Sequence, residues 1–336
     1  MSRRAKRNRD AAADAAGDLS RRHRVQANAV AVGKVLLCRE LDDGAGACMT
    51  RWIEPDVCRG ALLDTTTTMI ERMRTRQSTY DTNLNPNYLT GHPCLRPKMR
   101  SIVVDWMQQV CQEYGLSRET CHLATNYFDR YVCGQLATPP TRLQLVAVTA
   151  LLIASKLEDV NVPTVADFAY TCAGSYAAAE ILRTELDMVK ALGWMLRPHS
   201  PSTWARLFLL RGIDQATPGS KPGRDLLRSD RFVRVMEVID AARLYVKSLQ
   251  YSPYVLAASV LFHVFDGYAD LIGLATGMDR AQCAECMEWI ALLDDCIPRV
   301  GLHSILDRGY RPPDMHVRQV YNPHALQVCL DDTRHN

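Results

Sequence analysis

Between about residue 62 and residue 300, apolar positions recur every three to four residues, and alternation with period two is nearly absent. That spacing predicts successive α-helices and no strands. "DTTTTMIERMRTRQSTY" (64–80) reads as one amphipathic helix with Met69, Ile70 and Met73 on one side. "LNPNYLTGHPCLRP" (84–97), rich in Pro, Gly and Asn, reads as a linker. Met99–Tyr114 repeats Ile102, Val103, Trp106, Met107 and Val110 on a helical face. Ser117 is placed to cap a helix running to about Cys133. Thr141–Leu157 is apolar on nearly all sides, as the centre of a bundle requires. Pro163 opens a short helix ending near Gly174, and Ala177–Leu192 follows, stopped by Gly193.

A second series then starts. Ser200 and Pro201 form a cap-plus-proline start for a helix over 199–212, and "ATPGSKPGRD" (216–225) reads as a loop. Phe232–Leu249 is the next helix. Ser252 and Pro253 repeat the cap device before "YVLAASVLFHVF", again apolar all round, and Asp279–Ile297 is the last long helix. The prediction is all-α: two tandem five-helix modules, each wrapped on an apolar middle helix. The boundaries are a basic tail over 1–60, a helix and linker over 61–97, modules over 98–197 and 198–300, and a C-terminal tail over 301–336. The tail at 1–60 has too few large apolar residues to offset ordering entropy and is expected to be disordered.

Two charges interrupt this pattern. Lys156 ends the apolar stretch "TALLIASKLEDVNVP" and lies over Thr149, Leu152 and Ile153. Glu185 shares a stripe with Ile181, Val189 and Leu192. Two arrangements fit: an ion pair between them, or a snorkelling lysine with a half-exposed glutamate. Partly desolvated charges among apolar residues also suit an anchor for a partner protein.

Composition narrows the function. With 47% hydrophobic and 23% charged residues the chain has an ordinary globular balance, and a net charge of +3 is too small to imply nucleic-acid binding by the whole protein. No apolar block follows the N-terminal basic residues, so no secretory leader is expected, and Leu143–Ser155 falls short of the roughly 20 residues of a membrane span. An intracellular protein is the expectation. Its 12 cysteines are scattered, which argues against a disulfide framework. Cys283 and Cys286 have C-x-x-C spacing but lack two further ligands nearby, so no metal or other cofactor is expected. There is no phosphate loop, nucleophile elbow or H-E-x-x-H, and the reading is non-enzymatic. The basic clusters Arg3, Arg4, Lys6, Arg7, Arg9 and Arg21, Arg22, Arg24 fit a bipartite nuclear-import signal as well as a solubilising tail; we favour import and a nuclear location.

"KMRSIVVDWMQQVCQEYGLSRETCHLATNYFDRYV" followed by "LQLVAVTALLIASKLEDV" resembles the cyclin box, and "HPCLRPKMR", "KALGW" and "SPYVLAASVLFH" look like the cyclin E subfamily. The resemblance covers roughly residues 20–300. It implies a regulatory subunit that binds and activates a cyclin-dependent kinase, helps recruit its substrates and controls the G1/S transition. Its polar core set falls on Arg100, Asp129, Leu145, Lys156 and Glu185. By that resemblance, Lys156 and Glu185 anchor the kinase, with Leu157, Val189 and Trp194 as apolar neighbours. By the same resemblance Met99, Ile102, Val103, Trp106 and Gln144 match, and Gln109 falls within, a docking patch for substrates or inhibitors carrying a basic-x-leucine motif. Arg100 and Asp129 are structural.

Two departures stand out. Gln109 replaces the family's usual glutamate, which implies weaker or less charge-dependent docking. Residues 300–336 contain no Thr-Pro pair, unlike the family's C-terminal phosphodegron. The competing reading is a transcription-associated cyclin-fold protein or a basal factor that contacts DNA. Such a factor would show a basic stripe on a folded module, whereas the densest basic clusters here lie in the tail.

Overall fold

The computed structural model describes residues 59–81, 84–90, 92–135 and 138–299. The basic clusters at Arg3–Arg9 and Arg21–Arg24, read as an import signal, and the C-terminal tail with its missing Thr-Pro pair lie outside the described residues. Among the described residues there are helices and turns but no strand, as the apolar periodicity requires. The helices are α1 (Arg59–Asp81), α2 (Pro97–Tyr114), α3 (Arg118–Cys133), α4 (Leu143–Glu158), α5 (Val165–Thr171) and α6 (Ala178–Ala191). The second series holds α7 (Pro201–Gln215), α8 (Lys221–Leu226), α9 (Ser229–Arg243), α10 (Pro253–Val264), α11 (Ala269–Thr276) and α12 (Arg280–Arg299).

Each module is built on its apolar helix. α4 packs most extensively against α3 and α6, and every residue from Leu145 to Ser155 is buried. With the 3-10 turn before it, this stretch is apolar and long enough to pass for a membrane span by composition, yet most of it is covered by its own module. α10 has the same role in the second module, lying between α7 and α12. Local signals set the helix ends. Ser117 and Ser200 accept hydrogen bonds from the backbone N–H groups of Thr120 and Thr203, as N-caps do. Gly115, at φ +62°, closes α2 in the left-handed region that an L side chain resists.

Several expectations need correction. α5 begins at Val165, because Thr164 and Asp167 form a capping box, and it ends at Thr171. Residues 221–226 are a short helix rather than loop: Ser220 caps it and Pro222 lies in its first turn, where the missing N–H costs nothing. α11 was not anticipated. Ser252 makes no capping hydrogen bond, and its hydroxyl has no partner. In α1 the buried stripe is Ile70, Met73, Gln77 and Tyr80, while Met69 faces out. Finally, Phe232–Leu249 is not one helix. α9 stops at Arg243 and a 3-10 turn follows at Val246–Gln250.

The reason for that break is tertiary. Arg100, on α2 of the first module, donates from Nη1 to the carbonyl oxygens of Arg243 (2.9 Å) and Leu244 (3.3 Å). Ser101 donates to Leu244 O at 2.7 Å. Helix-end carbonyls need partners, and here the other module supplies them. The rest of the Arg100 fork is bidentate on Asp129 of α3, at 2.7 and 2.8 Å, and the Tyr88 hydroxyl donates to the same carboxylate at 2.9 Å.

A second polar cluster crosses the junction. Asp240 on α9 receives Arg118 Nε at 2.9 Å and stands 2.8 Å from His122 Nε2, both on α3. The Ser202 hydroxyl lies 3.2 Å from His122 Nδ1, and Glu119 accepts from Ser200, Ser202 and Thr203 at the start of α7. Burial, with the Arg243 guanidinium nearby, pushes His122 down to about 4. Burial alone would raise Asp240, but Arg118 and His122 beside it bring it down to about 2.

His122 is therefore neutral when folded at neutral pH, while an unfolded histidine titrates near 6.5. The unfolded chain takes up the proton first, so stability falls as pH drops from about 6.5 to about 4, by up to about 3 kcal/mol. Asp240 adds a further loss between about 4 and about 2. Urea midpoints measured against pH should show the first slope in the wild type, and His122→Gln should flatten it; an unchanged slope would remove His122 as its source.

Candidate functional site

α4 and α6 lie side by side, and Lys156 in the last turn of α4 meets Glu185 in the middle of α6. Lys156 Nζ donates to Glu185 Oε1 at 2.5 Å. The side chains are 43% and 19% exposed, so this is a surface pair on the rim of the core, not a buried one. Of the two arrangements the sequence allows, the ion pair is formed, with the ammonium still open to solvent on one side.

The neighbours divide into two sets. Ile181, Val189 and Leu192, which share a stripe with Glu185, are buried and hold α6 on α4. Leu157 is partly buried against the same core. Trp194 is different: it is 71% exposed and adopts φ +59°, directly after Gly193 at φ +60°. Two successive left-handed residues are costly for a bulky side chain and persist only where the surroundings impose them. Arg130 imposes them here. Its guanidinium donates to Met195 O (2.8 Å) and Leu192 O (3.3 Å), and Tyr127 OH donates to Leu196 O. The carbonyls that end α6 are thus held by α3, and the indole is turned outward.

Periodicity passed over two residues beside the pair. Leu182 and Leu186 are 47% and 50% exposed and stand three residues before and one after Glu185. Positions 182, 185, 186 and 189 share a helix face. The sign available in the sequence was a leucine at each of two positions just off the core stripe, on a helix that needed neither for packing. Lys156 and Glu185 form a charged pair with Leu182 and Leu186 uncovered on the same helix as Glu185 and Trp194 uncovered just after it. That is the composition of a protein interface.

The α2 face is a second candidate. Ile102 is 52% exposed, whereas Met99, Val103 and Trp106 are half-covered against the core and Gln144 lies half-buried on α4. The result is a shallow apolar strip. Gln109 is exposed at its end and donates from Nε2 to Asp105 Oδ2 at 2.8 Å. Asp105 is buried, so the carboxylate nearest this strip sits beneath an amide. Arg100 and Asp129 take no part in either face. Cys283 and Cys286 are buried in α12, where burial pushes both thiols up, Cys286 to about 12.

Comparison with known proteins finds relatives of one family. Residues 68–197 match the family model "Cyclin, N-terminal domain". G1/S-specific cyclin-E1 of Gallus gallus is 34% identical over 239 residues, covering 70% of this chain and 57% of that protein. G1/S-specific cyclin-E of Hemicentrotus pulcherrimus is 33% identical over 65% of this chain and 51% of that protein. The chain thus spans little more than half the length of the curated relatives it matches. Among solved structures, a viral cyclin from herpesvirus saimiri overlays with a TM-score of 0.54 at 17% identity, over 66% of this chain and 94% of that one, a likeness of fold.

A solvent-facing pair of this kind contributes little to folding, about 1 kcal/mol or less. Lys156→Ala and Glu185→Ala should each leave the urea midpoint nearly unchanged. A loss of several kcal/mol in either variant would make the pair a structural one.

Proposed function

The chain belongs to the cyclin family, and from that premise we propose that it is a non-catalytic regulatory subunit that binds and activates a cyclin-dependent kinase at the G1/S transition. The observation that carries the proposal is the Lys156–Glu185 pair, with Leu182 and Leu186 uncovered on the helix of Glu185 and Trp194 uncovered just after it. An active kinase needs its αC glutamate paired with the lysine of the ATP site. A surface that contacts only the active placement of that helix shifts the population toward it. Lys156 and Glu185 supply one donor and one acceptor at fixed positions, and the apolar groups around them supply area to bury. The strip from Met99 to Trp106, with Gln109 and Gln144, docks substrates or inhibitors through a short motif with a basic residue and a leucine. The basic clusters ahead of residue 25 direct the protein to the nucleus.

Mixing the purified chain with an inactive monomeric cyclin-dependent kinase should give a co-eluting complex that phosphorylates histone. Absence of both would end the proposal. Within the complex, Lys156→Ala or Glu185→Ala should weaken kinase binding by about 2–5 kcal/mol, because each leaves a partly desolvated partner charge behind. Full-strength binding by both variants would reduce the pair to a surface detail.

For the docking strip, Gln109→Glu should tighten binding of a basic-x-leucine peptide and steepen its salt dependence, since it adds an exposed carboxylate where an amide now covers Asp105. Peptide titrations at two ionic strengths read both effects. Unchanged affinity and slope would show that the basic residue of the peptide docks elsewhere.

A further inference from the structure

Where α1, α3, α7 and the start of α10 meet, a cavity of about 300 Å³ opens between the two modules. Its wall carries more positive donor capacity than its own residues use. Arg100 lines it but is saturated by Asp129 and the α9 carbonyls. Arg243 also lines it and is 94% buried (6% exposed), and only one arm of its fork is engaged. Nη2 donates to Cys121 O at 3.0 Å and to Thr125 Oγ1, while Nη1 has no partner. No carboxylate stands within ion-pair distance of Arg243 among the described residues; Asp240, one turn before it, is taken by Arg118 and His122. A buried guanidinium arm with an empty donor is costly unless something accepts from it.

Two further features face the same space. Ser252 lines the cavity, and its Oγ is likewise buried without a partner. Ser252 is also the N-cap of α10, so the positive end of a 12-residue helix opens there. The start of α7 shows how such an end is served: the Glu119 carboxylate accepts from Ser200, Ser202 and Thr203. The acids facing the cavity do not fill the vacant role at α10. Asp129 is spent on Arg100 and Tyr88, and Asp81 accepts from Gln77 at 2.8 Å, with burial raising its pKa. The two histidines on the wall, His122 and His199, are both held below the ordinary histidine range by burial.

We propose that this cavity is a binding site for a phosphate-class oxyanion, free or carried on a small organic molecule, held by Arg243 Nη1 and Ser252 Oγ at the N-terminus of α10. An oxyanion has several acceptor oxygens and so satisfies the guanidinium arm and the hydroxyl together. Its position gives it a consequence. The cavity wall includes Arg100 and the turn at Ser248–Ser252, the elements that join the modules, so an occupant stabilises the junction by binding only the folded form.

The test uses the full chain with inorganic phosphate and with O-phosphoserine, against chloride at matched ionic strength. Phosphorus NMR titration should show saturable binding, and Tm should rise with phosphate but not with chloride. Saturation by inorganic phosphate alone points to the free ion, and equal or tighter binding of O-phosphoserine points to a phosphomonoester; both support the site. Arg243→Met should weaken binding roughly tenfold or more, with Arg243→Lys between it and the wild type. Wild-type affinity in Arg243→Met would overturn the proposal. Should that variant not fold, Ser252→Ala and a selenate soak of wild-type crystals decide. Anomalous density beside Arg243 Nη1 supports the site, and its absence at saturating selenate overturns it.

Discussion

The fork of Arg100 is the interaction on which the rest of the molecule depends. One guanidinium holds three elements at once: Asp129 of α3, the last carbonyls of α9, and, through the shared carboxylate, Tyr88 of the segment before α2. A buried carboxylate and a buried cation are each expensive, and removing one partner typically costs about 3–5 kcal/mol because the other is left uncompensated. The geometry here leaves none of those groups idle. The same fork explains why the second module breaks its helix after Arg243: the helix end is where its carbonyls become available to a donor from the other module. Module one therefore decides where an element of module two stops.

The junction sets what each surface can do. With α3 fixed by Asp129 on one side and by the Arg118–Asp240–His122 cluster on the other, its remaining face is free to organise α6. Arg130 and Tyr127 take the carbonyls that follow α6 and hold the left-handed turn that exposes Trp194. Lys156 and Glu185 sit on α4 and α6, whose core-facing residues are buried. A partner that meets this face finds side chains already in position, so less of its binding energy goes into ordering them.

Much of this was legible in the sequence, and the illegible part has a physical pattern. Helices with local signals were readable: Ser117 and Ser200 as caps, Gly193 as an end, the all-round apolar character of α4 and α10. Lys156 and Glu185 could be singled out by their positions on apolar stripes, although periodicity could not separate pairing from snorkelling. Features set by contacts distant in the chain were hidden. The break after Arg243 depends on Arg100, 143 residues away, and His122 meets Asp240 across 118. Hydrophobic periodicity contains no term for either. Leu182 and Leu186 were passed over for the opposite reason. Apolar residues beside a core stripe look like core until the fold shows nothing above them.

The position of charge in this molecule separates two tasks. Charges that join the modules are buried, multiply bonded and shared between elements, as Arg100, Asp129 and Asp240 are. Charges on the candidate kinase face are partly exposed and bonded once, as Lys156 and Glu185 are. The first kind resists exchange because each lost bond leaves a buried group unsatisfied. The second kind can trade its internal partner for an external one at small cost, since solvent already competes for it. A surface meant to bind and release a partner needs charges of the second kind standing on a frame built from the first. α3 belongs to that frame on two sides: it carries Asp129 and Arg118 toward the junction and the buried Arg130 toward the turn at Trp194.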